Sequence, residues 1–335
     1  MARIREASMK ISILLKSLFN SAGIISLLFI LLPSCNGEFD PVYRDHMRDF
    51  VKEIGAAART QDNDFIIIPQ NGHELVASGD AEIDTPDEDY LAAIDGAGQE
   101  DLFFGYNRDD QETPSDENEY LLGLLSVCKN HGVTVLVTDY CYSSENMESS
   151  YQLNNDQGFI SFAAPERELN IIPDNSVIYN ENSADINQLS EAKNFLYLLN
   201  PDSFSSKTDY INKVSETNYD LVIMDLYYDG EQLLPSDIEA IHFKANGGKR
   251  LLICYMSIGE AEDYRYYWDS SWKNDPPEWL KKENPIWEGN YKVEYWNDEW
   301  KSIIYKDSDS YLSRILSTGF DGVYLDIIDA FEYFE

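Results

Sequence analysis

Leu251-Leu252-Ile253-Cys254-Tyr255 runs without a charged residue into Met256-Ser257-Ile258-Gly259-Glu260. A half-buried strand would alternate apolar and polar residues. An unbroken apolar run that closes on an acid reads instead as a strand buried on both faces, as in a parallel sheet covered by helices. Seven further runs repeat the pattern: Phe65 to Ile68 before Pro69-Gln70-Asn71-Gly72, Leu91 to Ile94 before Asp95, Val133 to Val137 before Asp139-Tyr140, Phe159 to Ala164 before Pro165-Glu166, Phe195 to Leu199 before Asn200, Leu221 to Met224 before Asp225, and Gly322 to Leu325 before Asp326.

Helical punctuation lies between the runs. Thr85-Pro86-Asp87-Glu88, Thr113-Pro114-Ser115, Ser190-Glu191 and Pro235-Ser236-Asp237 have the make-up of helix N-termini, and Lys129-Asn130-His131-Gly132 that of a C-terminus. Eight strands alternating with helices over residues 45–335 predict a single α/β domain, a (β/α)8 TIM barrel. A doubly wound open sheet is the alternative, but no GxGxxG or Walker loop follows any of the runs. The polar stretches Asn107 to Asn118 and Asn154 to Gln157 read as loops, the first leading into a helix.

The chain has 335 residues, 25 Lys and Arg against 61 Asp and Glu, and a formal charge of −36. Such a surface repels a phosphate backbone, which argues against nucleic-acid binding. With 23 Tyr, 15 Phe and 6 Trp it is also too aromatic for a disordered acidic chain. Arg3, Arg5, Lys10 and Lys16 precede the apolar stretch Ile24 to Leu32, which is too short to cross a hydrocarbon core of about 30 Å. Residues 1–35 therefore read as a signal peptide, and Leu32-Pro33-Ser34-Cys35 resembles the lipobox of bacterial lipoproteins, with Cys35 lipidated and residues 36–44 a polar tether. Cleavage before Cys35 removes four basic residues and one acidic one, leaving 21 against 60, or −39. Cys128, Cys141 and Cys254 have no CxxC spacing, and the four His no HxH or HxxxH spacing, so neither a disulfide framework nor a metal site is expected. The three cysteines read as buried small hydrophobes.

In a barrel, catalytic groups project from the carboxyl ends of the strands. The residues at or just beyond the run ends are Asn71, Asp95, Glu100, Asp139, Asn200, Asp225, Glu260, Glu262, Asp326 and Asp329. There is no Ser-His or Cys-His pair among them, and a ring of carboxylates suits chemistry by one protonated and one ionised acid, as in glycoside hydrolysis. For any single one, a helix cap or loop anchor is the alternative. All six tryptophans lie between Trp268 and Trp300, interleaved with Tyr264, Tyr266, Tyr267, Tyr291 and Tyr295. Two or three of these aromatics are expected to stack on sugar rings and the rest to pack together.

Cys254 to Arg265, the Trp-rich stretch, and Gly319-Phe320-Asp321-Gly322-Val323-Tyr324-Leu325-Asp326-Ile327-Ile328-Asp329-Ala330 resemble the endo-α-1,4-polygalactosaminidase family of glycoside hydrolases. Ile68 to Gly72, Ile94 to Leu102 and Val137 to Tyr140 share the resemblance. The order differs: segments that come late in the family come first here, so that 45–173 resembles the family's C-terminal half and 190–335 its N-terminal half. The resemblance thus implies a circularly permuted barrel with residues near 45 and 335 adjacent in space. Carried over, the catalytic pair is Asp326 as nucleophile and Glu100 as general acid/base, in a retaining mechanism. Gln70, Asn71, Asp139, Tyr140, Asp225, Tyr255, Glu260 and Asp329 would bind substrate, with Glu260 and Asp329 rivals for a catalytic place. No cofactor is implied. The expected partner is an α-linked, amino-sugar-containing polysaccharide, acted on by a monomer held to a membrane by its lipid. A glycan-binding lipoprotein of the same fold that does not cut its ligand is the alternative.

Overall fold

The computed structural model describes residues 42–77, 85–173 and 178–335. Cys35, the leader and the tether up to residue 41 lie outside them. In chain order the strands are β1 (Ile66–Pro69), β2 (Gly96–Glu100), β3 (Thr134–Tyr140), β4 (Ile160–Ala164), β5 (Phe195–Leu198), β6 (Leu221–Met224), β7 (Tyr227–Tyr228), β8 (Glu231–Gln232), β9 (Leu251–Ser257), β10 (Glu260–Glu262), β11 (Leu280–Glu283), β12 (Asn290–Val293) and β13 (Gly322–Asp326). Five of them form one parallel sheet in the order β1-β13-β9-β6-β5, and β2-β3-β4 form a second. A parallel bridge between Gln70 and Gly98 connects the two at β1 and β2, reinforced by Asn71 N–H donating to the Gly98 carbonyl at 2.7 Å. On the other flank Phe162 of β4 and Phe195 of β5 touch, ring centres 5.9 Å apart. The result is an α/β fold of parallel strands and helices.

β1, β3, β4, β5, β6, β9 and β13 fall on the apolar runs, and residues such as Ile67, Val137, Leu196, Ile223 and Ile253 are buried because helices cover the sheets. The helix Tyr311–Thr318 shows how the cover is built: Tyr311, Leu312, Ile315 and Thr318 face inward at helical spacing, Ser310 Oγ accepts from Ser313 N–H at 3.3 Å, and Gly319 ends it at φ 96°. Cys128, Cys141 and Cys254 are buried thiols.

Two expectations need correction. The run Leu91 to Ile94 is not a strand; it ends the short helix Glu88–Leu91 and turns, and the strand is Gly96-Ala97-Gly98-Gln99-Glu100 behind it. Small residues are required there. A Cβ on Gly98 would sit 2.1 Å from the Tyr324 hydroxyl, and one on Gly96 would sit 2.8 Å from Leu189. Asp95 consequently stands at the amino end of β2, away from the site, where it pairs with Arg59 at 2.7 Å and accepts from Ile67 N–H. Asn154 to Gln157 is not a loop but the last turn of the helix Ser144–Gln157, and buried Asn154 hydrogen-bonds Asp139 from it.

Between β9 and the helix Tyr311–Thr318 the chain inserts an antiparallel sheet, β10-β12-β11. Its core is aromatic. Trp268, Trp272, Trp279 and Trp300 meet in succession at 5.2 Å between ring centres, with Trp279 and Trp300 buried, and the Trp300 indole N–H donates to the Ile258 carbonyl at 2.9 Å. That bond ties the insertion to the turn after β9. The described chain's two ends meet: Arg44 pairs with Glu335 at 2.9 Å and Tyr43 packs on Phe334 at 5.5 Å.

Candidate active site

The carboxyl ends of the parallel strands surround a cavity of about 300 Å3. Gln70, Glu100, Tyr140, Tyr255 and Asp326 line it from β1, β2, β3, β9 and β13. Parallel strands all present their carboxyl ends on one side, so groups far apart in sequence converge there.

Glu100 is held between two donors. Asn71 Nδ2 donates to Oε2 at 3.1 Å, and the Tyr140 hydroxyl donates to Oε1. Asn71 is in turn oriented by the Glu100 backbone N–H, which donates to its Oδ1 at 3.1 Å, and by Gln99 Nε2 at 3.2 Å. Asn71 is at φ 60° and Asp101, immediately after Glu100, at φ 59°, a left-handed backbone that Asn and Asp tolerate better than most residues.

Asp326 is nearly enclosed, at 8% exposure. The Tyr255 hydroxyl donates to Oδ2 at 2.7 Å and the Ile327 backbone N–H also favours the charged form, while Oδ1 is buried with no side-chain donor among the described residues. Burial, followed by the charge of Glu100, pushes the Asp326 carboxyl up to about 7. The two carboxyls therefore feel one another across the cavity. Burial also raises the Tyr140 and Tyr255 phenols far above their ordinary range, so both remain hydrogen-bond donors.

The other expected binding residues sit behind the cavity wall. Asp139 is fully buried, Oδ1 accepting from Phe103 and Phe104 N–H and Oδ2 from Ser150 Oγ and Asn154 Nδ2. It anchors the loop after β2 and does not line the cavity. Asp225 makes a two-pronged pair with Arg265 at 2.8 and 2.7 Å. Glu260 is buried, its Oε1 accepting from Asn284 Nδ2 and the Tyr333 hydroxyl, both at 2.8 Å, and burial raises its pKa. Asp329 lies in the 3-10 turn Ile328–Tyr333, outside the cavity lining.

The cavity also takes one strand-end acid that was given no binding role, Glu262, and two residues that strand-end reasoning passed over, Tyr197 and Arg167. Tyr197, in the middle of β5, reaches it and donates to Gln70 Oε1 at 3.2 Å. Glu262 lines it, gripped by Arg265 Nε and the Tyr264 hydroxyl, each at 2.6 Å. Arg167, three residues past β4, is among the described residues the one Lys or Arg in the lining, which also holds Glu100, Asp101, Glu168, Glu262, Glu288 and Asp326. The rule that singled out Asp139 beyond the run Val133 to Val137 applies equally to Arg167 beyond the run Phe159 to Ala164. Trp287, 48% exposed, and Tyr264, 61% exposed, complete one wall. Two of the clustered aromatics thus face the cavity, and the other tryptophans pack the insertion or, in the case of Trp296, stack on His46 and meet Phe334 edge-on. Among the described residues no group of His, Cys, Asp and Glu is arranged to hold a metal ion.

Residues 179–335 match the Glycoside-hydrolase family GH114. The chain is 42% identical over 159 residues to an uncharacterized protein of Methanocaldococcus jannaschii, covering 48% of this chain and 43% of that one. It is 42% identical over 121 residues to an uncharacterized protein of Thermotoga maritima, 36% of each chain. An uncharacterized protein of Deinococcus radiodurans is 39% identical over 122 residues, 36% of this chain and 37% of its own. The chain thus spans less than half the length of these relatives. The family match supports glycosidase activity in general.

Proposed function

We propose that the protein hydrolyses an α-linked, amino-sugar-containing polysaccharide, as an endo-α-1,4-polygalactosaminidase does, with Asp326 and Glu100 as the catalytic pair. The observation that carries this reading is the convergence of these two carboxyls, from β13 and β2, on one cavity, each held by a buried tyrosine hydroxyl. Asp326 attacks the anomeric carbon while Glu100 gives a proton to the departing glycosidic oxygen. Water, deprotonated by Glu100, then cleaves the glycosyl–Asp326 ester and releases a sugar of retained configuration, which calls for carboxyls about 5 to 5.5 Å apart. The first step needs one proton on the pair. Burial raises Asp326 to about 7, so in the neutral range the pair's proton is held on Asp326 and must pass to Glu100 before Asp326 can attack.

Asp101 and Glu262 are paired with Arg167 and Arg265, and the further acids Glu100, Glu168, Glu288 and Asp326 in the lining attract free ammonium groups, an attraction that salt screens. Trp287 and Tyr264 offer flat faces to sugar rings. We read the fold as a circularly permuted (β/α)8 barrel. The contacts of β1 with β2 and of β4 with β5, the meeting of Tyr43 with Phe334, and a family match confined to 179–335 all support this. We read the chain as an exported monomer anchored through Cys35. Among the described residues no helix is long and apolar enough to cross a membrane.

Incubation with partly deacetylated galactosaminogalactan should release new reducing ends, and Asp326→Asn or Glu100→Gln should each lower the rate by a factor of order 10³ or more while leaving the circular dichroism unchanged. Binding without cleavage by the wild type would replace hydrolysis with glycan capture. Undiminished rates in both variants would remove the pair.

A further inference from the structure

Arg167 has the charge of a substrate-binding cation, but its donors are engaged by the protein. Nε donates to Asp109 Oδ1 at 2.7 Å, Nη2 to Asp101 Oδ1 at 2.8 Å and to the Gly105 carbonyl at 3.0 Å, and Nη1 to Asp101 Oδ2 at 3.3 Å. Its guanidinium also lies over the Tyr140 ring, 3.8 Å from the centre. Two of its four partners bear on Glu100: Asp101 is the next residue, turned left-handed at φ 59°, and Tyr140 donates its hydroxyl to the Glu100 carboxylate. Gly105 keeps room for the clamp. A Cβ there would sit 2.1 Å from Asp101 Oδ1 and 3.0 Å from Arg167 Nη2, and the residue is at φ +115° besides.

We infer that Arg167 is a positioning residue for Glu100, fixing it from the backbone side through Asp101 and from the carboxylate side by seating the Tyr140 ring. This rests on the proposed role of Glu100. A flat, forked cation suits the task because it can pair in the plane of a carboxylate while its face covers an aromatic ring; a lysine does only part of this. The clamp joins the ends of β2, β3 and β4 to the loop after β2, so loosening it displaces the acid/base group and leaves the substrate wall of Trp287 and Tyr264 in place.

The variants Arg167→Met, Arg167→Lys and Gly105→Ala test this in the full chain, with folding checked by thermal melts. In Arg167→Met and Gly105→Ala, kcat should fall on the order of 10- to 100-fold with KM within about threefold, because a misplaced catalytic group loses rate more than binding. Arg167→Lys should recover part of the kcat. A second readout needs no turnover: the 13C carboxyl resonance of Glu100 should move in Arg167→Met, since its Tyr140 donor shifts. If Arg167→Met does not fold, Arg167→Lys and Gly105→Ala carry the same measurements. Wild-type kcat in the folded variants, or a rise in KM alone, overturns the inference, as does an unmoved Glu100 resonance. An inactive wild type with a Glu100 resonance that does move sinks the hydrolase reading and leaves the clamp standing.

Discussion

Asp326 shows at the scale of one side chain how stability yields to function. A buried carboxyl beside the charge of Glu100 is a poor place for a negative charge, and its folded pKa of about 7 lies above the ordinary 3.8 despite the Tyr255 donor. The sign follows from linkage. Between these two values the native state binds more protons than the unfolded chain, so this group's contribution to stability is present below about pH 4 and is lost as pH rises through about 7. Asp326→Asn removes that penalty. It should melt higher than the wild type at pH 7 to 8, by a margin on the order of a few kcal/mol, and the gap should close towards pH 4 in urea titrations. A gap independent of pH would show that the carboxyl is not under electrostatic strain. Asp139 is the contrasting case: fully buried, its carboxyl is also pushed up by burial, but four donors oppose that shift and it serves as an anchor.

At the scale of elements, β2 and the aromatic insertion do different work. β2 is short on apolar side chains because the Tyr324 ring occupies the space beside Gly98. Gly98→Ala should therefore destabilise the fold by roughly 1–3 kcal/mol or more, as overpacking of a closed core does, measured as a drop in the urea midpoint. In the insertion, Trp300 and Trp287 separate packing from recognition. Trp300→Ala empties a fully buried site and frees the Ile258 carbonyl, and should cost about 3–5 kcal/mol. Trp287→Ala should leave the melting temperature unchanged and weaken retention on a glycan column. A loss of stability from Trp287→Ala equal to that from Trp300→Ala would mean that the exposed ring is structural.

At the scale of the molecule, the contact of the two described ends bears on the proposed permutation. Arg44 with Glu335 and Tyr43 with Phe334 bring the ends within reach of a short linker. A rearranged chain that starts at Ile178, joins residue 335 to residue 43 through a Gly/Ser linker and ends at Pro173 should fold to the same circular dichroism spectrum and keep the parent's activity. Aggregation of that chain under conditions where the parent is monomeric would count against permutation.

Seven of the eight strands could be read from sequence because burial on both faces leaves a local mark, a continuous apolar run. Their direction was legible as well, since the acid or amide closing each run marks the carboxyl end, and Asp326 could be placed at the mouth by that rule alone. The eighth strand could not. Gly96 to Glu100 owes its composition to Tyr324 and Leu189, which come from more than ninety residues further along. The same distance hides which strand-end groups reach the cavity. Asp139, Asp225 and Glu260 look in sequence like Glu100, but the helix Ser144–Gln157, Arg265 and the Asn284–Tyr333 pair cover them. Composition and periodicity determined the class of fold and the side on which chemistry could occur, because both depend on what a residue does to its own segment. Which carboxylate faces the cavity, which stays charged and what holds it in place were decided by tertiary structure, because solvation and pairing depend on neighbours that only folding brings together.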